Sequence, residues 1–404
     1  MSADPRPTFL FRLARRPLPV LLGLAVGFLG CSIAGRVAAR QQPYKEFVRF
    51  HPGIGPDAHY YPTYSQTYNL ARQHVQPGKA LVVIGGHSVL QGVGQRPQFI
   101  WSKRLQELLG PDFVVLNLAM RGGYSHEFAA VIVERLIAER VPVIFVAGAP
   151  EGFSVECDLD GLKHRDFFWD AWGKGHIRPD EARDKWLTEG FYTRHAKAEP
   201  ILEHRRRGRV DAVSYSQDLW NYVAYKYRGT VWTPLKYPEF WQPHRLALDI
   251  DPGETLPWEV CNGPAQEPAR LRQLRGVIAA GHGYLARTGQ YAALGSIYKE
   301  FLPTTLHSRT LSVFRPHGTY YRARLTPEER AQYEDIYRRY PDALRTVGLH
   351  SQVIGMNYEE RDYFDHSHLS ERGGRKMAEE LAPTIRAMNA KLYGPKPTPE
   401  GVKP

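Results

Sequence analysis

Residues 80–92 read Ala80-Leu81-Val82-Val83-Ile84-Gly85-Gly86-His87-Ser88-Val89-Leu90-Gln91-Gly92. Five apolar residues in a row, stopped by two glycines, are the pattern of a strand buried on both faces of a parallel sheet. A serine just past the carboxyl end of such a strand lies where open α/β sheets place their ligands. The glycines let the backbone turn sharply and let a substrate carbonyl approach the hydroxyl. A serine in this place also caps a following helix, so the motif alone does not assign chemistry. It is not the Gly-x-Ser-x-Gly elbow of α/β-hydrolases, because Leu90 stands where the second glycine would be.

The pattern repeats outward from this strand. Residues 98–109 carry helical spacing, 113–116 form a second apolar run, 126–140 an amphipathic helix, and 143–146 a third run. This β-α-β-α-β order with short connections predicts an α/β fold on an open parallel sheet with right-handed crossovers. Residues 151–345 change character: they are rich in Trp, Tyr, His and Arg, with helical stretches at 267–290 and 327–340. They read as a large insertion that caps or lines the site. Strand character returns at 351–356, and 370–392 predicts a long helix with Met377, Leu381, Ile385 and Met388 on one side. The expected division is therefore 1–40 as a cytoplasmic tip and membrane helix, 41–78 as a linker, 79–392 as one domain, and 393–404 as a tail.

A lone serine needs a base, and residues 364–374 offer one. Asp365 and His368 stand three apart just before the predicted helix. That spacing lets the carboxylate reach one imidazole nitrogen while the other faces a nucleophile, fixing the tautomer and stabilising the imidazolium. The same residues also suit a helix start, with Ser370 as N-cap.

Taken together, these segments resemble the SGNH/GDSL hydrolase superfamily. Gly86-His87-Ser88 through Gly92-Val93-Gly94 looks like the nucleophile block. Asn117-Leu118-Ala119-Met120-Arg121-Gly122-Gly123 looks like the second block, and Asp365-His366-Ser367-His368-Leu369 like the last. The resemblance covers residues 80–150 and 350–385. It implies a three-layer α/β/α, flavodoxin-like sheet, a Ser88-His368-Asp365 triad, and an oxyanion hole made by the Ser88 and Gly122 N–H groups. His87 and Gly123 would line the pocket. Two departures stand out. His87 replaces the family's aspartate before the serine, and Gly148-Ala149-Pro150-Glu151 lacks the third-block asparagine that completes the oxyanion hole. A missing donor of that kind costs roughly a hundred- to a thousandfold in turnover. Either a substitute donor replaces it, with Asn262 and Asn357 as candidates that no sequence argument separates, or the Ser88 and Gly122 N–H groups suffice, or the enzyme is slow.

From Pro17 to Gly35 the chain carries no charge, a length close to the ~20 residues that cross a bilayer as a helix. Arg12, Arg15 and Arg16 precede it and Arg36 and Arg40 follow, a bias that favours a cytoplasmic N-terminus. An uncleaved signal anchor fits better than a cleaved signal peptide or a lipid on Cys31. The expected location is the cytoplasmic membrane, single-pass, with the domain outside.

The chain has 404 residues, 43% hydrophobic and 24% charged, which suits a globular domain rather than a disordered one. Its formal net charge of +11 favours acidic partners. No zinc-finger, helix-turn-helix or RNA-binding signature accompanies that charge, so nucleic acid is not expected. The cysteines, Cys31, Cys157 and Cys261, lie too far apart for a metal site, and no cofactor is implied. Both a Cys157–Cys261 disulfide and two buried thiols remain open. Tyr215, Trp220, Tyr222, Trp232 and Trp241 suit either sugar stacking or the core of the insertion. Arg205, Arg206, Arg207 and Arg209 form a basic run.

The expected function is that of a serine esterase or O-acyltransferase. Its substrate would be an acylated envelope glycan or lipid, with an envelope-assembly or acyltransferase protein as a further expected partner. The alternative is an inactive glycan-binding or scaffold domain.

Overall fold

The computed structural model describes residues 17–41, 47–50, 53–55, 58–59, 62–123, 128–149, 215–227, 235, 264–288, 302 and 304–394. Five parallel strands form the sheet: β1 (Ala80–Gly85), β2 (Phe113–Asn117), β3 (Val143–Gly148), β4 (Thr310–Phe314) and β5 (His350–Val353), in the spatial order β2-β1-β3-β4-β5. A two-residue and a three-residue strand at 53–59 pair separately as a small antiparallel ribbon. The order reverses between β1 and β3, which creates the crevice at the carboxyl ends where such sheets bind ligands. Ser88 follows β1 directly.

Helices flank the sheet and close two apolar cores. Along β1 the side chains alternate between them, as a pleated strand requires. Leu81 and Val83 face one core with α4 (Ala129–Ala138), α6 (Glu267–Thr288) and α7 (Pro327–Thr346). Val82 and Ile84 face the other with α3 (Trp101–Leu109) and α8 (Glu371–Tyr393). Both β1 and β3 are buried throughout, which is why each reads as an unbroken apolar run.

Two expected boundaries change. Within 41–78, α2 (Tyr64–His74) begins with a full capping box on Thr63 and Gln66 and buries Leu70 and Ala71 in the first core. That part of the expected linker is packed into the domain. The stretch 151–345 also contains sheet: β4 is its fourth strand, and α7 buries Tyr333, Ile336 and Leu344 against the core. The span between sheet strands is thus 149–309. β4 escapes a pattern reading because Thr310 and Ser312 interrupt its apolar run while being fully buried. The Thr310 hydroxyl is satisfied by donating to Leu306 O at 2.8 Å. Cys157, Cys261, Trp232, Trp241, Asn262, the arginine run at 205–209 and residues 395–404 lie outside the described residues.

At the other end, α1 (Pro17–Arg40) has 24 residues and a stretch with a mean hydropathy of 2.0, long and apolar enough to cross a membrane. Its last turns dock on the domain through buried Gly35, Ala38 and Ala39, and Asn69 Nδ2 donates to Ala39 O.

Candidate active site

Ser88 opens a single helical turn, Ser88–Gln91, whose N-cap is His87. Gly92 ends it at φ +84°, a left-handed conformation, and a Cβ there would lie 2.8 Å from Ile100. The turn is held from several sides. Trp101 Nε1 and Asn117 Nδ2 both donate to Leu90 O, at 2.8 and 3.0 Å, and buried Arg49 donates to Gly92 O and Gln95 O. These bonds fix the serine on rigid backbone rather than on a loose loop.

The second segment is built as a tight loop on the entry to α8. Phe364 N–H donates to His368 O at 2.8 Å, Tyr363 bridges Leu369, and Ser370 N–H donates to Asp362 O. Asp362, fully buried, anchors the base by ion pairs to Arg372 and Lys376. Ser370 is the N-cap of α8, as the helix-start reading expected; that role coexists with the Asp365–His368 contact. Gln95 Nε2 donates to Leu369 O and Arg96 forms a two-pronged ion pair with Glu371, so the serine turn and the histidine loop are joined directly.

The result is a continuous chain of hydrogen bonds. The Ser88 hydroxyl lies 2.7 Å from His368 Nε2, and His368 Nδ1 lies 2.7 Å from Asp365 Oδ2. The other carboxylate oxygen accepts the backbone N–H groups of Ser367 and His368, at 2.8 and 2.7 Å. Burial pushes the Asp365 carboxyl up. The His368 hydrogen bond and the neighbouring imidazoles outweigh it and hold the group well below the usual carboxylate range. Asp365 is therefore anionic and oriented, and His368 Nδ1 is committed as donor to it. That leaves Nε2 to accept the serine proton.

Sequence reasoning missed the next links. His366 Nε2 lies 3.2 Å from the Arg270 guanidinium of α6. A guanidinium only donates, so Nε2 must accept, and the ring proton sits on Nδ1, which faces Asp365 Oδ1 at 3.6 Å. His366 is thus a neutral second imidazole on the same carboxylate. Burial first, then the charges of Arg270, His317 and His368, drive its pKa down to about 3 against the opposing pull of Asp365. Behind it, the Nδ1 of buried His317 lies 2.9 Å from the Tyr333 hydroxyl, whose oxygen also accepts the His317 backbone N–H. Gly318 N–H holds His366 O at 2.8 Å. Arg270 and His366 are 96 positions apart, and no local spacing signals that pair.

The expected oxyanion donors lie at the start of the serine turn and in the loop after β2. Leu118 N–H donates to Ile84 O and Met120 N–H to Gly86 O, which runs the segment 118–120 alongside the serine turn. Gly122 follows at φ +66°, and Gly123 N–H donates back to Met120 O. Among the described residues the N–H groups of Ser88 and Gly122 meet no acceptor. His87 Nδ1 accepts from Val89 N–H at 3.4 Å, and its Nε2 edge lies against Gly148, where a Cβ would be 3.1 Å away. A side chain at Gly148 would displace that ring. Asn357 is exposed in the turn after β5. Comparison of the chain with protein-family models, with curated proteins and with solved structures finds no match.

Proposed function

We propose that this chain is a serine esterase or O-acyltransferase of SGNH type, with Ser88, His368 and Asp365 as its catalytic triad. The single observation that carries the reading is the pair of 2.7 Å contacts joining Ser88 Oγ, His368 and Asp365 at the sheet's switch point. The fold we assign is a three-layer α/β/α sandwich with a large insertion after β3. The strand order and the position of the serine after the first strand support it.

In the mechanism, His368 Nε2 takes the Ser88 proton as Oγ attacks an acyl carbonyl, and the carbonyl oxygen becomes an oxyanion facing the Ser88 and Gly122 N–H groups. Asp365 stabilises the imidazolium. The tetrahedral intermediate collapses, His368 gives the proton to the departing alcohol oxygen, and an acyl-serine remains. Water or a sugar hydroxyl then attacks the acyl carbon, loses its proton to His368, and releases Ser88. Water yields hydrolysis; a sugar hydroxyl yields acyl transfer.

The substrate class we assign is an acyl ester of extracytoplasmic envelope polysaccharide or lipid. The uncharged, membrane-length α1 with arginines ahead of it supports an anchored domain outside the cytoplasmic membrane. The net positive charge suits an acidic polymer. A second reading, a glycan-binding or scaffold domain without turnover, is favoured by one observation: no asparagine follows β3 to complete the oxyanion hole.

The two readings separate on labelling of the full chain in detergent with a fluorophosphonate probe, read by intact mass. One added probe mass in wild type, absent from Ser88→Ala and His368→Ala, supports the enzyme. A folded wild type that stays unlabelled removes the triad and leaves the binding domain.

A further inference from the structure

Helix α5 (Ser216–Tyr227) lies where the anchor helix meets the domain. The uncharged part of α1 ends at Gly35, and 19 residues at 1.5 Å each span about 28 Å, the thickness of a bilayer's hydrocarbon core. Gly35 and Arg36 therefore mark the level at which α1 leaves the lipid. At that level Tyr215, just before α5, packs so closely that a Cβ on Gly35 would lie 2.6 Å from its carbonyl oxygen. The Arg36 guanidinium lies 5.8 Å from the Tyr215 ring centre. One turn on, the Thr63 hydroxyl donates to fully buried Asp218, which ties α5 to the N-cap of α2.

The other side of α5 is open. Trp220, Val223 and Tyr227 are 67%, 49% and 54% exposed, and their i, i+3, i+7 spacing puts them on one face. Asp218 is the helix's single acidic residue, and it is turned inward. A tryptophan, a valine and a tyrosine together on a face without acid are unfavourable in water. They suit the headgroup boundary of a bilayer, where amphipathic aromatic rings concentrate.

We infer that the Trp220-Val223-Tyr227 face of α5 rests in the lipid interface beside α1, so that the membrane holds the domain at two places. This rests on the reading of α1 as a membrane anchor. The bilayer covers this face because the face continues the level at which the anchor leaves the lipid. A second contact removes the swivel that one helix and a joint would allow, and it sets the domain at a constant height above the surface.

The test uses the full chain in liposomes with lipids brominated near the headgroup end or near the tip of the acyl chain, which quench nearby tryptophan. Trp220→Phe and Leu24→Trp are compared with wild type. Trp220 is exposed, so its replacement leaves folding intact, which the melting temperature checks. The expected result is that the emission lost on Trp220→Phe is mostly quenched by the shallow bromines, and that the emission gained on Leu24→Trp is quenched by the deep ones. Quenching of the emission that Leu24→Trp adds, without quenching of Trp220, overturns the inference and keeps the anchor; the face then meets water or a protein. Quenching of neither overturns both.

Discussion

The Ser88 hydroxyl and His368 Nε2 meet at 2.7 Å across 280 residues of chain. Neither reaches the other through its own loop. Gln95 and Arg96, on the serine side, hold Leu369 and Glu371 on the histidine side, so the distance is set by backbone-anchored bonds at both ends.

Asp365→Asn should keep the fold and lower the fluorophosphonate labelling rate by about a thousand- to ten-thousandfold. The amide no longer holds His368 in the tautomer that leaves Nε2 free to accept. Stopped labelling reactions followed by intact mass measure the rate. A fall of less than tenfold would sink the role given to Asp365.

Arg270→Met and His366→Phe should each slow labelling by about tenfold, through loss of the charge-assisted Arg270–His366 hydrogen bond that holds the ring beside Asp365. Because Arg270 acts on Asp365 through His366, the double variant should be no slower than the slower single. His366→Asn keeps a donor near Asp365 and should recover part of the loss. Multiplicative losses in the double variant would show that Arg270 acts by another route.

His366 also writes a pH signature into stability. Its folded pKa is lowered to about 3, against about 6.5 in an unfolded chain. The unfolded state therefore binds more protons between those values, and stability falls as pH drops through that window. Burial raises the Asp365 carboxyl, but its hydrogen bond with His368 outweighs that and holds it low; its contribution is present above about pH 4 and is lost below it, as pH falls through the folded value. Melting temperatures from pH 7 to 5 should fall more steeply for wild type than for His366→Phe. Parallel curves would refute a buried neutral His366.

Gly122→Ala places a Cβ on a residue at φ +66°, which costs about 1–2 kcal/mol and turns the N–H away from its direction. With Ser88 N–H as the remaining donor, labelling should slow by about a hundredfold while the melting temperature changes by only a few degrees. Unchanged labelling would remove Gly122 from the oxyanion hole.

What the sequence determined by itself was local. Strands β1 and β3 were legible because burial on both faces demands unbroken apolar runs; the half-buried edge strand β2 was legible because its run Phe113–Leu116 is equally apolar. The Asp365–His368 pair was legible because a single short loop carries both members. α1 was legible as a long apolar helix because the run from Pro17 to Gly35 carries no charge. Tertiary structure decided the rest. β4 hides its sheet membership behind Thr310 and Ser312, polar groups tolerated in the core because the fold supplies their partners. α2 looked like linker because only four of its eleven residues, Tyr64, Tyr68, Leu70 and Ala71, are apolar or aromatic, and burial of its polar face becomes apparent only once the domain packs around it. Arg270, His366 and His317 gained meaning only when α6 and the loop after β4 closed on Asp365. Their interactions depend on distance through space, and sequence spacing reports distance only within a single helix, strand or turn.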